Sequence, residues 1–530
     1  MDKFTARLRC GSVSAAAVSH AGAREYQEDS YGFSELNPGL ERFAAVLADG
    51  MGGLPGGALV SSRTVSGMLA EDISTAGADV PEWLRNAAQR TSSGIAADGS
   101  GGGSTLVEAV ITPEGLYFCS VGDSRIYLRR GNSLTQLTED HDHLRTLLTQ
   151  TAAGQLTYQQ AVGDKDCGAL TQYIGSSAAL SPDISLRAFP LLPGDRVMLC
   201  SDGVYNALSS AELLQSLTLS AAGAAEDILG RILARNFQNQ DNFTAIVLEI
   251  LPDYVPEPLP QPERPAISVE HSSHTSPGGE PSNEDCVYAD GKIFAAADGL
   301  GSQGGGARAS ATAVGFLAEH RDADFSPAGI EELFSGADSA VRELGGGLAS
   351  IAAGFVQDGC FTLAGVGNAR GFYFRGGEIT ARTYEASQGA ELRSLGSSPA
   401  PELRQDCQPI EIRPGDAFLV CTDGFWEHVQ ETEMTADLLK SHDSREWLER
   451  MTRRQIQSAH ESGDNYSAVC GIFTSEPEPA KRKRRRWLPA VIAAACAALM
   501  ILALGAVLMW LSGDREAPDE PAAQSGEMLR

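Results

Sequence analysis

Five aspartates in the first half of the sequence stand next to glycine or at the ends of short apolar runs. They are Asp29 in QEDS, Asp49 in LADG, Asp123 in VGDS, Asp202 in CSDG and Asp241 in QDNF. Carboxylates are hard oxygen ligands that suit Mg²⁺ or Mn²⁺ better than zinc. A single Asp-Gly usually marks only a turn, so the prediction of a metal site depends on the whole series.

The same series recurs in the second half of the chain, in the same order. FAAVLADGMGG, VGDSRIYLRRG, PGDRVMLCSDG and DNFTAIV of the first half match IFAAADGLGS, VGNARGFYFRGG, PGDAFLVCTDG and DNYSAVC of the second. Such recurrence indicates two copies of one fold. It also argues that the aspartates are more than turn residues.

Together these motifs resemble the PPM (PP2C-type) family of metal-dependent protein phosphatases, in its bacterial form. The resemblance runs from REYQEDS through ADGMGG, GGGSTL, VGDSRIY, LTEDHD and CSDG to DNFT, nearly the whole first domain. It implies an αββα sandwich with two Mn²⁺ or Mg²⁺ ions at one end and a third, weaker metal position. It also implies that a metal-activated water hydrolyses phosphoserine and phosphothreonine in proteins.

The resemblance implies two catalytic residues, Asp49 as the bridge between two metals and Arg24 as the phosphate-binding arginine. Arg24 lies five residues before Asp29, where the family places this arginine. A guanidinium is a planar fork that can bind phosphate oxygens in pairs. The implied metal ligands of the first domain are Asp29, Asp49, Gly50, Asp123, Asp202 and Asp241.

Within that set the resemblance distributes the ligands between the ions. Asp202 and Asp241 complete one ion, while Asp29 and the carbonyl of Gly50 serve the other, with Glu28 supporting through water. The third position falls to the aspartate of VGDS, together with the aspartate of CSDG.

The proton donor to the leaving group stays open. Some eukaryotic members carry histidine directly after the Asp-Gly, where this chain has Met51. His141 is one candidate donor, although a surface histidine in a turn is the preferred interpretation. The stretch 140–192 resembles the family's flap, a mobile segment beside the active site that helps to choose substrates.

The second domain keeps four of the acids but changes the residues that handle substrate. Glu280 stands where the first domain has the phosphate-binding arginine, Asn368 replaces the third-position aspartate, and 24 residues are missing where the flap should be. A like charge about 4 Å from a phosphate costs about 1–4 kcal/mol. We therefore predict a pseudophosphatase, with a narrower phosphatase using another phosphate clamp as the alternative. Its possible metal ligands are Asp285, Asp298, Gly299, Asp423 and Asp464.

The elements that must position these residues are predicted from the apolar pattern. Short runs at Phe43–Leu47, Val197–Cys200 and Ala245–Ile250 are typical of strands, and helical spacing follows the glycine-rich turn from Val65 to Ile73. Strands that arrive as hairpins favour an α+β fold of antiparallel sheets packed against helices.

The chain is predicted to end in a membrane anchor. The stretch 487–511 carries no charge and exceeds the roughly 20 apolar residues that span a bilayer. KRKRRR precedes it, so the positive-inside rule places both large domains in the cytoplasm. The predicted parts are a catalytic domain at 10–250, a Pro-rich linker at 251–266, a degenerate domain at 267–474, a juxtamembrane linker at 475–486, the transmembrane helix at 487–511 and a short extracytoplasmic tail at 512–530.

Composition narrows the function further. The net charge of −28 argues against nucleic-acid binding, which depends on Lys and Arg, whereas bound cations can still attract a phosphoprotein. The ten cysteines include no CxxC pair, which argues against zinc ribbons and thioredoxin-like chemistry and favours a reducing, cytosolic compartment. The first residues lack the apolar stretch of a signal peptide.

The predicted function is a membrane-anchored protein phosphatase whose partners are phosphorylated proteins and a Ser/Thr kinase or its targets. Two alternatives remain open. A non-catalytic signalling scaffold is disfavoured by the complete set of acids and Arg24. A metal-dependent nuclease or phosphodiesterase is disfavoured by the acidic balance.

Overall fold

The computed structural model describes residues 1–34, 41–51, 56–71, 79–99, 101–257, 267–301, 305–383, 393–398, 403, 408–460 and 463–475. Residues 1–475 form one compact unit, and 476–530 form another. The predicted transmembrane helix, the extracytoplasmic tail, and the juxtamembrane linker beyond 475 lie outside the described residues. In the part of the chain that is described, no helix has both the length and the apolar character needed to cross a membrane.

We call residues 1–257 the first lobe and residues 267–475 the second lobe. The strands of the first lobe are β1 Asp2–Leu8, β2 Gly11–His20, β3 Ser30–Phe33, β4 Phe43–Ala48, β5 Leu106–Thr112, β6 Gly115–Val121, β7 Arg125–Arg130, β8 Ser133–Gln136, β9 Asp183–Ile184, β10 Arg196–Cys200 and β11 Phe243–Ile250. Its helices are α1 Gly57–Ala70, α2 Val80–Ala97, α3 His143–Ala152, α4 Tyr158–Val162, α5 Asp202–Tyr205, α6 Ser210–Ser216 and α7 Ala221–Arg235.

Two antiparallel sheets, ordered β1-β2-β11-β10-β7-β8 and β3-β4-β5-β6-β9, face each other in the first lobe. The alternation of side chains along each strand builds the layers. In β4, Phe43, Ala45 and Leu47 enter the core between the sheets, whereas Ala44 and Val46 pack against α1 and α2. Helices α5 to α7 cover the outer face of the other sheet. The expected antiparallel sheets between helices are therefore confirmed in this lobe.

The first lobe extends beyond the predicted limits of 10–250 at both ends. Strand β1 pairs with β2 and buries Ala6 and Leu8. Tyr254 is buried, and its hydroxyl donates to the carbonyl of Thr112 at 2.9 Å. This edge strand was not predicted from DKFTARL because only one face of the strand is apolar and the other carries polar residues.

The strands of the second lobe are β12 Ile267–Ser276, β13 Cys286–Ala289, β14 Ile293–Leu300, β15 Leu348–Gln357, β16 Cys360–Val366, β17 Arg370–Arg375, β18 Glu378–Arg382, β19 Ile410–Glu411, β20 Ala417–Cys421 and β21 Tyr466–Ser475. Its helices are α8 Gly305–Glu319, α9 Pro327–Glu343, α10 Asp423–Trp426, α11 Glu431–Lys440 and α12 Ser444–Ala459. The sheets are ordered β12-β21-β20-β17-β18 and β13-β14-β15-β16-β19. This is the strand order of the first lobe without β1.

Glu108 is a buried carboxyl in the middle of β5. Its side chain is 1% exposed, and its Oε2 has no hydrogen-bond partner among the described residues. Burial raises the pKa of Glu108 to about 8. The folded protein therefore holds this proton up to about pH 8, whereas the unfolded chain releases it above about pH 4.5. The stability that the protonated Glu108 contributes is fully present below about pH 4.5 and is lost as pH rises from there to about pH 8.

We predict that Glu108→Gln flattens the pH dependence of stability and stabilises the protein at pH 8. The gain should be on the order of 1–3 kcal/mol, because glutamine carries no ionisation cost but still buries a polar amide. Thermal melts at pH 5 and pH 8 measure the effect. Glu226→Gln, which changes an exposed carboxylate on α7, is the control. Equal pH dependence in the wild type and in Glu108→Gln would contradict the assignment.

Candidate active site

The predicted ligands of the first lobe lie where strands begin or end. Asp29 immediately precedes β3, Asp49 immediately follows β4, and Asp123 follows β6 by two residues. Asp202 opens α5 and follows β10 by two residues, and Asp241 stands two residues before β11. In antiparallel sheets the end of one strand and the start of its neighbour share an edge. Within each sheet, the topology thus places these residues at one edge.

The electrostatics of these carboxyls show that they lie close enough to interact. Burial raises the pKa of Asp49 well above its ordinary value, and the charges of Asp29, Asp202, Asp123 and Asp241 raise it further. The pKa of Asp29 rises to about 6, chiefly through burial. The pKa of Asp202 also rises to about 6, through burial and the charges of Asp241 and Asp29. The site is a cluster of mutually repelling carboxylates.

Neutral side chains hold two of the acids in place. The hydroxyl of Ser201 donates to Asp29 Oδ2 at 2.8 Å. The backbone of Asp49 donates to Thr105 Oγ1 at 2.9 Å and accepts from Ser104 Oγ at 2.8 Å. Asp29 Oδ1 is buried and accepts no hydrogen bond from any described residue. That oxygen is therefore available to a ligand.

Gly50 permits a close approach of backbone at the end of β4. Its amide donates to the carbonyl of Glu28 at 3.1 Å. A Cβ at this position would lie 2.5 Å from the backbone of Gly57, at the start of α1. Only glycine therefore lets the predicted ligand carbonyl lie between these segments.

Asn242 is a site residue that the sequence analysis missed. Its Oδ1 accepts from the amide of Glu28 at 2.7 Å, and its Nδ2 donates to the carbonyls of Ala21 and Tyr26 at 2.9 Å each. It thereby shapes the loop between β2 and β3. Asn465 makes the matching contacts in the second lobe, and the asparagine shared by the two DN motifs was the available signal.

Arg24 lies at the solvent-exposed rim of the cluster. Its Nη2 donates to Asp241 Oδ2 at 2.7 Å, and the two side chains are 54% and 42% exposed. The predicted phosphate-binding residue and a predicted metal ligand are thus direct neighbours. A phosphate next to both could be bound by the arginine and by a cation at the same time.

His141 is not the surface histidine that the sequence favoured. It is 1% exposed, and its Nδ1 accepts from the amide of Gly122 at 3.1 Å. Burial lowers the pKa of His141 to about 4, so the ring is neutral at physiological pH. The segment after β8 returns to Gly122, which buries Thr138 and His141 within the polar sequence TEDHD.

The second lobe arranges its acids in the same way. Thr422 Oγ1 donates to Asp285 Oδ2 at 2.9 Å, as Ser201 does to Asp29. Burial raises the pKa of Asp285 to about 7 and, with the charge of Asp423, that of Asp298 to about 8.

The structure also shows where Glu280 and Asn368, the two residues that differ from the first lobe, lie in the second lobe. The amide of Glu280 donates to the carbonyl of Pro277 at 3.0 Å, as the amide of Arg24 does to Ala21 at 3.1 Å. Glu280 therefore occupies the place of Arg24. The amide group of Asn368 donates to the carboxylate of Asp423, so a neutral donor replaces an acid there.

The residues of the first-lobe cluster suit a hard divalent cation. All the side-chain donors are carboxylate oxygens, one of them is buried and unpartnered within the described ranges, and cations offset their mutual repulsion. Over those same ranges, no group of three or more His, Cys, Asp or Glu side chains is already arranged to hold an ion.

Comparison with known proteins agrees with this chemistry. The model of the protein phosphatase 2C family matches residues 17–237. A protein phosphatase 2C-type protein of Streptococcus pyogenes is 31% identical over 180 residues, which are 32% of this chain and 71% of that protein. The chain belongs to the protein phosphatase 2C family. It is therefore an enzyme, a protein phosphatase.

Further comparisons each match less than half of the chain. Protein phosphatase PhpP of Streptococcus pneumoniae is 32% identical over 39% of this chain and 86% of that protein. A crystal structure of the Mycobacterium tuberculosis serine/threonine phosphatase PstP/Ppp is 29% identical over 45% of this chain and 99% of that one, with a TM-score of 0.38. Another structure shows the catalytic domain of PstP with 2 manganese ions. Its sequence is 29% identical, the match covers 45% of this chain and 98% of that one, and the TM-score is 0.37.

We predict that Arg24→Ala weakens substrate capture and leaves metal content unchanged. Charge-assisted hydrogen bonds contribute about 1.5–3 kcal/mol, so KM for a phosphothreonine peptide should rise roughly tenfold to a hundredfold. Steady-state kinetics and metal analysis of the purified protein measure the two effects. The control is Arg90→Ala, which breaks the ion pair between Arg90 on α2 and Glu71. Unaltered KM and kcat/KM in Arg24→Ala would show that Arg24 does not bind the phosphate.

Proposed function

We propose that the first lobe is a metal-dependent protein serine/threonine phosphatase and that the second lobe is a regulatory pseudophosphatase. The observation that carries the first part is the cluster of five carboxylates. Burial and mutual repulsion disfavour their negative charges, and a bound cation would offset both effects. Arg24 at its rim adds a group that binds phosphate. The serine/threonine phosphatases named among the relatives support the substrate class.

In this proposal Asp29, Asp49, Asp202 and Asp241, with the carbonyl of Gly50, hold two Mn²⁺ or Mg²⁺ ions, and Asp123 serves a third. Such ions supply a water of lowered pKa as the nucleophile when they are bound.

The protein itself orients the reactants. Arg24 aligns the phosphate through its fork of N–H donors. Ser201 fixes Asp29, while Ser104 and Thr105 fix Asp49, so the ligand geometry is set before substrate arrives.

The proposal for the second lobe depends on Glu280. A carboxylate at the position equivalent to Arg24 repels a phosphate, and the third-position acid is replaced by Asn368. The strand order and the four retained acids support a copy of the same fold. A cation at Asp298 and its neighbours would then be structural, because crowded carboxylates need one to offset their repulsion.

The two lobes offer a matched pair of variants that test this division of labour. Asp49→Asn should lower kcat on a phosphothreonine peptide by at least about a thousandfold, because loss of the two-metal centre removes several kcal/mol and each 1.36 kcal/mol is tenfold. Asp298→Asn, the same change in the second lobe, should leave kcat within about twofold. Both are measured on the full chain with saturating Mn²⁺, after thermal melts have verified folding.

Near wild-type turnover in Asp49→Asn would remove the first-lobe site from consideration. A large loss in Asp298→Asn alone would place catalysis in the second lobe. A phosphodiester substrate assayed in parallel separates a phosphatase from a diesterase.

We further propose that the protein is anchored in the cell membrane by 487–511, with both lobes in the cytoplasm, where it opposes a Ser/Thr kinase. The support is the charge-free stretch and the preceding KRKRRR. Basic residues beside an anionic leaflet contribute about 1 kcal/mol each.

We expect protease added to intact cells to leave both lobes intact, because the basic side of the anchor faces the cytoplasm. Immunoblots with antibodies against each lobe measure protection, and the same treatment of permeabilised cells is the control. Digestion of either lobe from outside would reverse the proposed orientation, and recovery of the protein in the soluble fraction would remove the anchor.

A further inference from the structure

Two basic residues of the second lobe bind a buried aspartate of the first. Lys440, at the end of α11, donates from Nζ to Asp183 Oδ2 at 3.1 Å, and Arg450 on α12 donates from Nη1 to Asp183 Oδ1 at 3.0 Å. The side chains of Lys440 and Asp183 are 0% exposed. Because buried charges must be paired, this contact ties the lobes together.

Glu139 extends the same contact toward the active site. Its Oε2 accepts from Arg450 at 2.9 Å, and its Oε1 accepts from Arg453 at 2.6 Å. Its amide donates to Asp183 Oδ2 at 2.9 Å. Burial alone would raise the pKa of Glu139, but Arg453, Arg145 and Arg450 lower it to about 2. The carboxylate is therefore charged and held by the second lobe.

The residues after Glu139 contact Gly122 and Arg125, which lie on either side of the third acidic position, Asp123. Asp140 accepts from Arg125 Nη2 at 2.7 Å. His141 exchanges two hydrogen bonds with Gly122, at 2.9 and 3.1 Å, and Gly122 immediately precedes Asp123. Arg450 is thus connected through Glu139 and His141 to Gly122, the residue that precedes that aspartate.

Helix α3, which follows, is packed mainly against the second lobe. Leu148 is buried in the apolar core that α10, α11 and α12 form with their sheet, and Leu144 and Ala152 pack against that core. The ring centroids of Tyr158 on α4 and His460 lie 4.9 Å apart. The segment predicted as a flap is therefore supported by the second lobe.

We propose that the second lobe positions residues 139–162 beside the active site of the first lobe, with Arg450 as the positioning residue. This inference depends on the proposed phosphatase function. Residues 139–162 adopt the position in which they can contact a phosphoprotein substrate only while Arg450 binds Glu139 and Asp183. Without that guanidinium two buried carboxylates lose a shared cation, which favours arrangements that move them toward solvent.

The test uses the full chain and three variants, Arg450→Met, Arg450→Lys and the control Arg445→Met, which changes an exposed arginine on the same helix. Amide hydrogen exchange over 139–162 reports position without any catalysis. KM and kcat are measured with a phosphothreonine peptide and with p-nitrophenyl phosphate, which has no peptide chain to contact the segment.

In Arg450→Met we expect roughly tenfold faster exchange over this segment and a roughly tenfold higher KM for the peptide, the size of effect that supporting residues have on an active site. The kcat for p-nitrophenyl phosphate should stay within about twofold, since the acids of the two-metal centre are unchanged. Arg450→Lys should show a smaller change in the same direction, and Arg445→Met none.

Exchange and peptide KM equal to wild type in Arg450→Met would overturn the inference while leaving the phosphatase proposal standing. A wild-type chain that hydrolyses neither substrate would overturn the phosphatase proposal instead, and the exchange data would still decide whether Arg450 positions the segment. If Arg450→Met does not fold, the comparison of Arg450→Lys with Arg445→Met decides.

Discussion

The repulsion among carboxylates at the strand ends is the constraint on which the first lobe depends. Asp49 follows a strand whose two faces are both buried, so it cannot withdraw from its neighbours without disturbing two layers of core. The packed strands hold the carboxylates close together despite their repulsion, and the hydroxyls of Ser201, Ser104 and Thr105 fix them with hydrogen bonds. In the proposed function a divalent cation would relieve this repulsion, and metal affinity and fold stability would then be coupled in this lobe.

Most of the site could be predicted from the sequence because its acids sit next to apolar strands. Phe43–Leu47 and Val197–Cys200 appear in the structure within β4 and β10, and the predicted helical spacing from Val65 corresponds to α1, although Ile73 lies outside the described residues. Burial on both faces makes such strands continuous apolar runs, which are easily recognised. The acids at their ends then follow from the chain direction.

What the sequence did not reveal depends on long-range contacts. His141 lies in a polar stretch, and only the return of that stretch under β6 makes it buried and neutral. Asn242 acts through backbone groups of a loop more than 200 residues away in the sequence, at Glu28 and Tyr26. The contact between the lobes is built from charged residues, Asp183, Lys440 and Arg450, which local pattern alone would assign to the surface.

The pairing of Asp183 with Lys440 also has a consequence for synthesis. Asp183 is made long before Lys440 and Arg450, and a ribosome that adds about 5–20 residues per second needs roughly 10–50 seconds to cover that distance. During this interval the carboxylates of Asp183 and Glu139 lack their basic partners from the second lobe. If Arg450 positions the segment as proposed, the other strands of the first lobe can pair as soon as they are made, whereas the segment beside the active site reaches its final arrangement only after α12 has left the ribosome.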